Sequence, residues 1–231
     1  MRYITERELR DAFAKGVPEQ YQVPEGCKLT PAARTYLTDL RLYWPASEKK
    51  QQAKAEPVRP GGRKPEHMTN LNAREMVCKA HPRIVFRGKL DLLESEILVL
   101  AVNCPAEFRT PLEDALRLVR NVLAAEVRET ELGAWTLDGM TPEEVHRCSH
   151  HPEEFGFPGH ILPGVEHGLF AAQLNRLRAV TRDAELAAVQ AFWDGQRLVR
   201  EDCVLAMNRL SSYFYVLQLR AAGKRNEYGT S

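Results

Sequence analysis

Three stretches of this chain repeat apolar residues at steps of four and three, a period that suits an α-helix laying one narrow stripe against partner helices and suits no strand. From about Pro82 the stripe is Phe86, Leu90, Leu93, Ile97 and Leu100. From about Val165 it is Phe170, Leu174, Leu177, Thr181, Ala184, Ala188 and Ala191, and in the last stretch Cys203, Met207, Leu210, Phe214, Leu217 and Ala221. Between them, Pro111 to about Leu132 forms another helix with Leu112, Leu116, Val119 and Leu123. No strand alternation of useful length and no internal repeat accompany these stripes.

The expected fold class is therefore all-α: a ferritin-like antiparallel bundle of four to five helices over residues 67–222, with a small N-terminal helical appendage over 1–45. In the appendage Thr5 and Glu8 have the spacing of a capping box, and Thr30-Pro31 opens a second helix carrying Ala33, Leu37 and Leu40 on one side. Residues 46–66 hold Pro57, Pro60, Pro65 and Gly61-Gly62 with almost no apolar bulk, the composition of a flexible linker. Residues 223–231 read as a C-terminal tail. One excursion interrupts the bundle. Thr141-Pro142-Glu143-Glu144 starts a short helix that runs into FGFPGHILPG, a loop suited to a lid or pocket wall.

Charge and cysteine usage exclude several classes. With 32 Lys+Arg against 31 Asp+Glu, the net charge of +1 supplies no global field for nucleic acid. The charged N-terminus MRYITERELRDAF lacks the apolar core of a signal peptide, and no run approaches a membrane span. The cysteines (Cys27, Cys78, Cys104, Cys148, Cys203) are scattered and odd in number, which argues against a disulfide framework and for a cytoplasmic location.

Beside each stripe runs a polar row in the same rhythm: Arg87, Asp91 and Glu94; Arg178, Arg182 and Glu185; Asn208, Ser212 and Tyr215. Residues three and four apart share a face, so each row is a surface feature. Two readings stand. Such rows commonly solvate the bundle and pair across helices. Alternatively, two arginines one turn apart opposite Asp and Asn suit a polyanion, because the guanidinium fork fits phosphate and a carboxylate can hold it in place.

The segments MTNLNAREMVCKAHPRIVFRGKLDLLESEI, LPGVEHGLFAAQLNRLRAVTRDAE and AMNRLSSYFYVLQLR resemble the ATP:corrinoid adenosyltransferases, especially their ethanolamine-utilisation branch and more distantly the propanediol branch. The N-terminal ITERELR…LTPAARTYL is similar to the first branch as well. The resemblance implies a trimer of helical bundles that binds ATP and corrinoid at subunit interfaces, in the cytoplasm and associated with a bacterial microcompartment. It also implies a corrinoid-dependent ammonia lyase or other microcompartment proteins as partners. Matched residue by residue, Arg182, Glu185 and Asn208 correspond to nucleotide-binding positions, Lys79 and Thr69 to phosphate contacts, and Asp91 to an aspartate that pairs with Arg178. Asp91, Arg178 and Arg182 are the expected catalytic set, with Mg²⁺ accompanying the triphosphate.

Three departures matter. The Gly-rich loop of the propanediol type is missing, with only Gly61-Gly62-Arg63-Lys64 and Thr69 nearby; Asp183 stands where a second arginine is common. The His and Cys-Cys-x-x-Cys metal cluster of many ethanolamine-type members has no counterpart in the linker, so no metal site is expected. In the loop, His160 occupies the place of the aromatic residue that excludes the lower cobalt ligand, which leaves Phe157 or Phe155 to do so. These three residues are the expected corrinoid contacts. The crowd of His146, Cys148, His150, His151, His160 and His167 invites a metal, but its spacing matches no closed site, and the paired Glu-x-x-His of a di-iron bundle is absent. The alternative function is a non-catalytic corrinoid- or nucleotide-binding assembly module.

Overall fold

The computed structural model describes residues 2–40, apart from 15, 17, 19, 20, 22 and 25, and residues 64–228. The greater part of the expected linker, and Gly61, Gly62 and Arg63 within it, lies outside the described residues. The chain divides into two units, Met1–Gly62 and Arg63–Ser231.

The first unit has its own small core. Strand β1 (Arg2–Ile4) pairs in parallel with β2 (Cys27–Leu29), and helices α1 (Glu6–Ala12) and α2 (Pro31–Asp39) pack together. The Thr5–Glu8 capping box is formed on both sides. Ile4, Leu9, Leu29, Ala33 and Leu37 are buried together. Short parallel pairing of this kind leaves no alternation to read, so the sequence shows the helices and not the strands.

The second unit is a four-helix bundle: α3 (Pro82–Val102), α4 (Arg109–Arg128), α6 (Gly168–Phe192) and α7 (Glu201–Tyr228), with α5 (Pro142–His150) in the α4–α6 connection. The stripes are the core, since Phe86, Leu90, Leu93, Ile97, Leu174, Leu177, Met207, Leu210, Phe214 and Leu217 are all buried in one cluster. Thr181, in the middle of the α6 stripe, is buried without loss because its hydroxyl donates to Leu177 O at 2.7 Å. Ion pairs fix the register. Glu96 meets Arg176 and Lys89 meets Asp183, so α3 and α6 are antiparallel. Glu94 meets Arg120 and Arg87 meets Glu126, so α3 and α4 are antiparallel as well. Consequently α4 and α6 run the same way, and residues 129–167 must return along the bundle between them, the one long crossover of ferritin-like folds. Its extended part is pinned by Leu132 N–H donating to Asp202 and Asp138 N–H donating to Asp114. No helix among the described residues is long and apolar enough to cross a membrane.

Burial alone would raise the Asp202 carboxyl, but hydrogen bonds from Arg200 and from Leu132 N–H outweigh it and bring the pKa from 3.8 down to about 2. A depressed carboxylate stabilises the fold fully above its ordinary pKa and loses that effect as the pH falls through the lowered one. Asp202→Asn is expected to lower Tm at pH 7 by about 2–4 °C. In thermal scans the gap from the parent should narrow between pH 4 and pH 2; a gap independent of pH would show that the carboxylate charge is not what matters.

Candidate active site

An antiparallel hairpin, β3 (Met68–Asn70) with β4 (Met76–Cys78), precedes the bundle, where the sequence shows no strand alternation. Thr69 lies opposite Val77, and Lys79 N–H donates to His67 O at 2.8 Å, continuing the ladder. Thr69 lies within β3 and Lys79 directly follows β4, so the ladder places both in this hairpin. The two expected phosphate residues are thus brought together by three-residue strands too short to show a period.

What holds this hairpin is a buried charge cluster. Glu126 of α4 is fully buried, and its carboxylate receives Arg83 at 2.6 Å and also Arg87. Arg87 extends to Leu71 O at 2.7 Å in the hairpin turn, while Arg83 reaches Glu129 at 2.8 Å and Asn72 donates to the same Glu129. Within the turn, Asn72 Oδ1 accepts the N–H groups of Arg74 and Glu75, each at 2.9 Å. Arg87, read from the sequence as part of an outward row with Asp91, is instead turned to α4, and Glu94 is taken up by Arg120 at 2.8 Å. Only Asp91 of that row is exposed.

On α6 and α7 the rows converge. Asn208 Nδ2 donates to Glu185 Oε1 at 2.8 Å, and Arg209 donates to Asn208 Oδ1, so two of the three expected nucleotide residues are bonded to each other. Arg182, one turn before Glu185 on α6, is exposed. Asp183 beside it is paired with Lys89 at 2.6 Å, which offsets the negative charge that the sequence sets against Arg182. Arg178 donates to Asn175 at 3.2 Å, and among the described residues no contact joins Arg178 to Asp91. By the register above, Glu185 is level with Arg87, so the expected nucleotide row and the hairpin occupy the same end of the bundle.

The loop after α5 closes the other side. Gly156 (φ 82) and Gly159 (φ 117) take left-handed backbone that other residues rarely adopt, and they turn the chain sharply on both sides of Phe157. Phe155 is exposed with Arg147 over its ring at 5.8 Å, Phe157 is half-buried, and His160 is bonded to Tyr215 Oη of α7 at 3.0 Å. The His146 and His150 rings lie 4.3 Å apart between centroids, tilted by 54° to one another. Burial, then the nearby Arg209, holds the His146 pKa below the ordinary histidine value.

The family model of the cobalamin adenosyltransferases matches residues 62–221, a span covering the hairpin, all four bundle helices and the loop. The chain belongs to the cobalamin adenosyltransferase family. It is 30% identical to the corrinoid adenosyltransferase EutT of Escherichia coli K12, over 96% of this chain and 93% of that one. The same figures hold for EutT of Salmonella typhimurium LT2. Among solved structures, a variant of the PduO-type ATP:corrinoid adenosyltransferase from Lactobacillus reuteri complexed with ATP shares the fold. Its TM-score is 0.55 at 21% identity, with 69% of this chain and 91% of that one covered. A second variant of that protein, complexed with cobalamin and ATP, has the same TM-score and identity over 70% and 91%.

Within this adenosyltransferase, Glu126 is the residue that the sequence reading passes over. Its signal is nonetheless present: the α4 stripe continues in threes and fours from Leu112 and Leu116 through Val119 and Leu123, and the position it next reaches carries a carboxylate. A charge on a core stripe calls for partners, and the arginines one turn apart at 83 and 87 supply them.

Proposed function

We propose that this chain transfers the 5′-adenosyl group of ATP to the cobalt of reduced cob(I)alamin, giving adenosylcobalamin and triphosphate. The observation that carries this is the Glu185–Asn208 bond beside exposed Arg182, set at the same end of the bundle as Thr69 and Lys79. Cobalt attacks the 5′-carbon with its own electron pair, which becomes the Co–C bond, while the C5′–O bond breaks and its electron pair leaves with the triphosphate. Neither a protein nucleophile nor a general base is needed; the corrinoid brings the nucleophile. The protein aligns the reactants and offsets charge on the leaving group. Arg182, Lys79 and Thr69 serve the phosphates, which arrive with Mg²⁺, while Glu185 and Asn208 hold the nucleoside. Phe155, Phe157 and His160 face the corrinoid.

The working unit is a homotrimer. Val99 and Val102 on α3, Leu162 and Val165 ahead of α6 and Leu169 in its first turn are all at least 66% exposed, apolar side chains available to a subunit interface. Asp91, without a contact to Arg178 inside the subunit, meets that arginine at a subunit interface, where family resemblance places the substrates. Val99→Asp with Leu169→Asp should convert the oligomer to monomers in analytical ultracentrifugation; an unchanged sedimentation coefficient would place the interface elsewhere. The setting is ethanolamine utilisation, in the cytoplasm and beside a microcompartment, with a corrinoid-dependent ammonia lyase consuming the product.

The test is anaerobic incubation with ATP and chemically reduced cobalamin, following the absorbance change as the Co–C bond forms. Adenosylcobalamin accumulating in step with triphosphate is expected. Saturable ATP binding without adenosylation would overturn the enzymatic reading and leave an assembly module.

A further inference from the structure

Tyr215 ends the polar row of α7, and the nucleotide site leaves it unused. Its phenol oxygen is the meeting point of three elements. Ile161 N–H donates to it at 3.2 Å, and His160 Nδ1 lies 3.0 Å away, with the two rings nearly parallel at 20°. The other ring nitrogen of His160 lies 3.2 Å from His150 O, at the C-terminal end of α5. A carbonyl oxygen only accepts, so in neutral His160 the proton sits on Nε2 and donates to His150. Nδ1 is then bare, and the Tyr215 hydroxyl donates to it. The chain of bonds runs from Ile161 N–H to Tyr215 O–H to His160 Nδ1, and from Nε2–H to His150, with each group used once.

We propose that Tyr215 is a positioning residue for the corrinoid side of the site: its hydroxyl sets the height of the Phe157–Leu162 loop above α7. The inference rests on the reading that Phe157 and His160 face the corrinoid. Tyr215 and Asn208 are seven residues apart on one helix face, about 10 Å along the axis, so the loop is fixed to the same rod that holds the nucleotide. The glycines at 156 and 159 loosen the loop backbone, Leu162 on it is exposed, and the Tyr215 bonds tie it to α7.

Tyr215→Phe keeps the ring and removes the hydroxyl. Two measurements on the full-length protein test it. Amide exchange without substrates should show faster deuterium uptake in residues 156–164 and no change in α3; unaltered uptake in the loop would overturn the latch itself. Steady-state kinetics should show the KM for cobalamin raised about tenfold, as expected for two lost hydrogen bonds, with the KM for ATP within twofold of the parent. Loosened exchange with an unchanged cobalamin KM would overturn the positioning role and point to failure of the corrinoid assignment instead of the latch. Equal rises in both KM values would overturn it as general loosening. In a double-mutant cycle, His160→Ala combined with Tyr215→Phe should cost no more in cobalamin KM than the larger single change; full additivity would show that the two side chains do not act through one bond.

Discussion

Replacing Arg182 with alanine is expected to slow adenosyl transfer by about 100- to 1000-fold, the usual loss when one group aimed at developing charge is removed. The side chain is exposed on α6, so its removal leaves no cavity and no stranded partner in the core. Helical circular dichroism and Tm should match the parent, which separates a chemical effect from unfolding. The neighbouring charges shape the expectation. Asp183 is paired with the Lys89 ammonium, whereas neutral Asn208 leaves the charge of Glu185 in place, so of the two neighbouring carboxylates only Asp183 is offset. Arg182→Lys should recover only part of the rate, since a single ammonium cannot reproduce a two-pronged contact. Unaltered turnover in the alanine variant would remove Arg182 from the phosphate site.

The largest expected effect on stability comes from Glu126→Ala. Breaking a buried ion cluster by removing one partner costs about 3–5 kcal/mol, because the remaining charges stay where water cannot reach them well. Here two guanidinium groups, each less than one-fifth exposed, would lose their common carboxylate. For a chain of this size Tm should fall by about 10 °C or more. The hairpin should loosen with it, because Arg87 would no longer be held toward Leu71 O. Changing the cluster as a set, Arg83→Met and Arg87→Met together with Glu126→Leu, should restore most of the stability in denaturant titrations while the hairpin tie stays lost. A loss below about 1 kcal/mol for Glu126→Ala would mean that the arginines find solvent or new partners.

The bundle was legible because its helices repeat one apolar rhythm over about three to six turns, long enough for periodicity to outweigh local noise. Caps at Thr5 and Thr141 were legible for a different reason: each is a local exchange of two hydrogen bonds within four residues. The paired strands escaped notice because three residues are too few for alternation to register. Among the polar rows, sequence spacing showed which residues share a face and could not show which way that face turns. So Asn208 and Glu185 met as partners, while Arg87 and Glu94, placed by the same rule, turned out to serve α4. Pairing at a distance of about forty residues, as between Arg87 and Glu126, depends on helix order around the bundle, which no local pattern encodes.

Between Glu201 and Ala222, α7 contains neither glycine nor proline, and it carries both Asn208 and Tyr215. That makes the helix a gauge with fixed graduations. Inserting or deleting one residue between them would rotate one contact by about 100° relative to the other, taking it off the shared face altogether; a change of three or four residues roughly restores the face, and it would then move the contacts about 5 Å nearer or farther. A loop can lengthen or shorten by single residues and keep its ends in place, whereas the spacing between Asn208 and Tyr215 on this helix is indivisible.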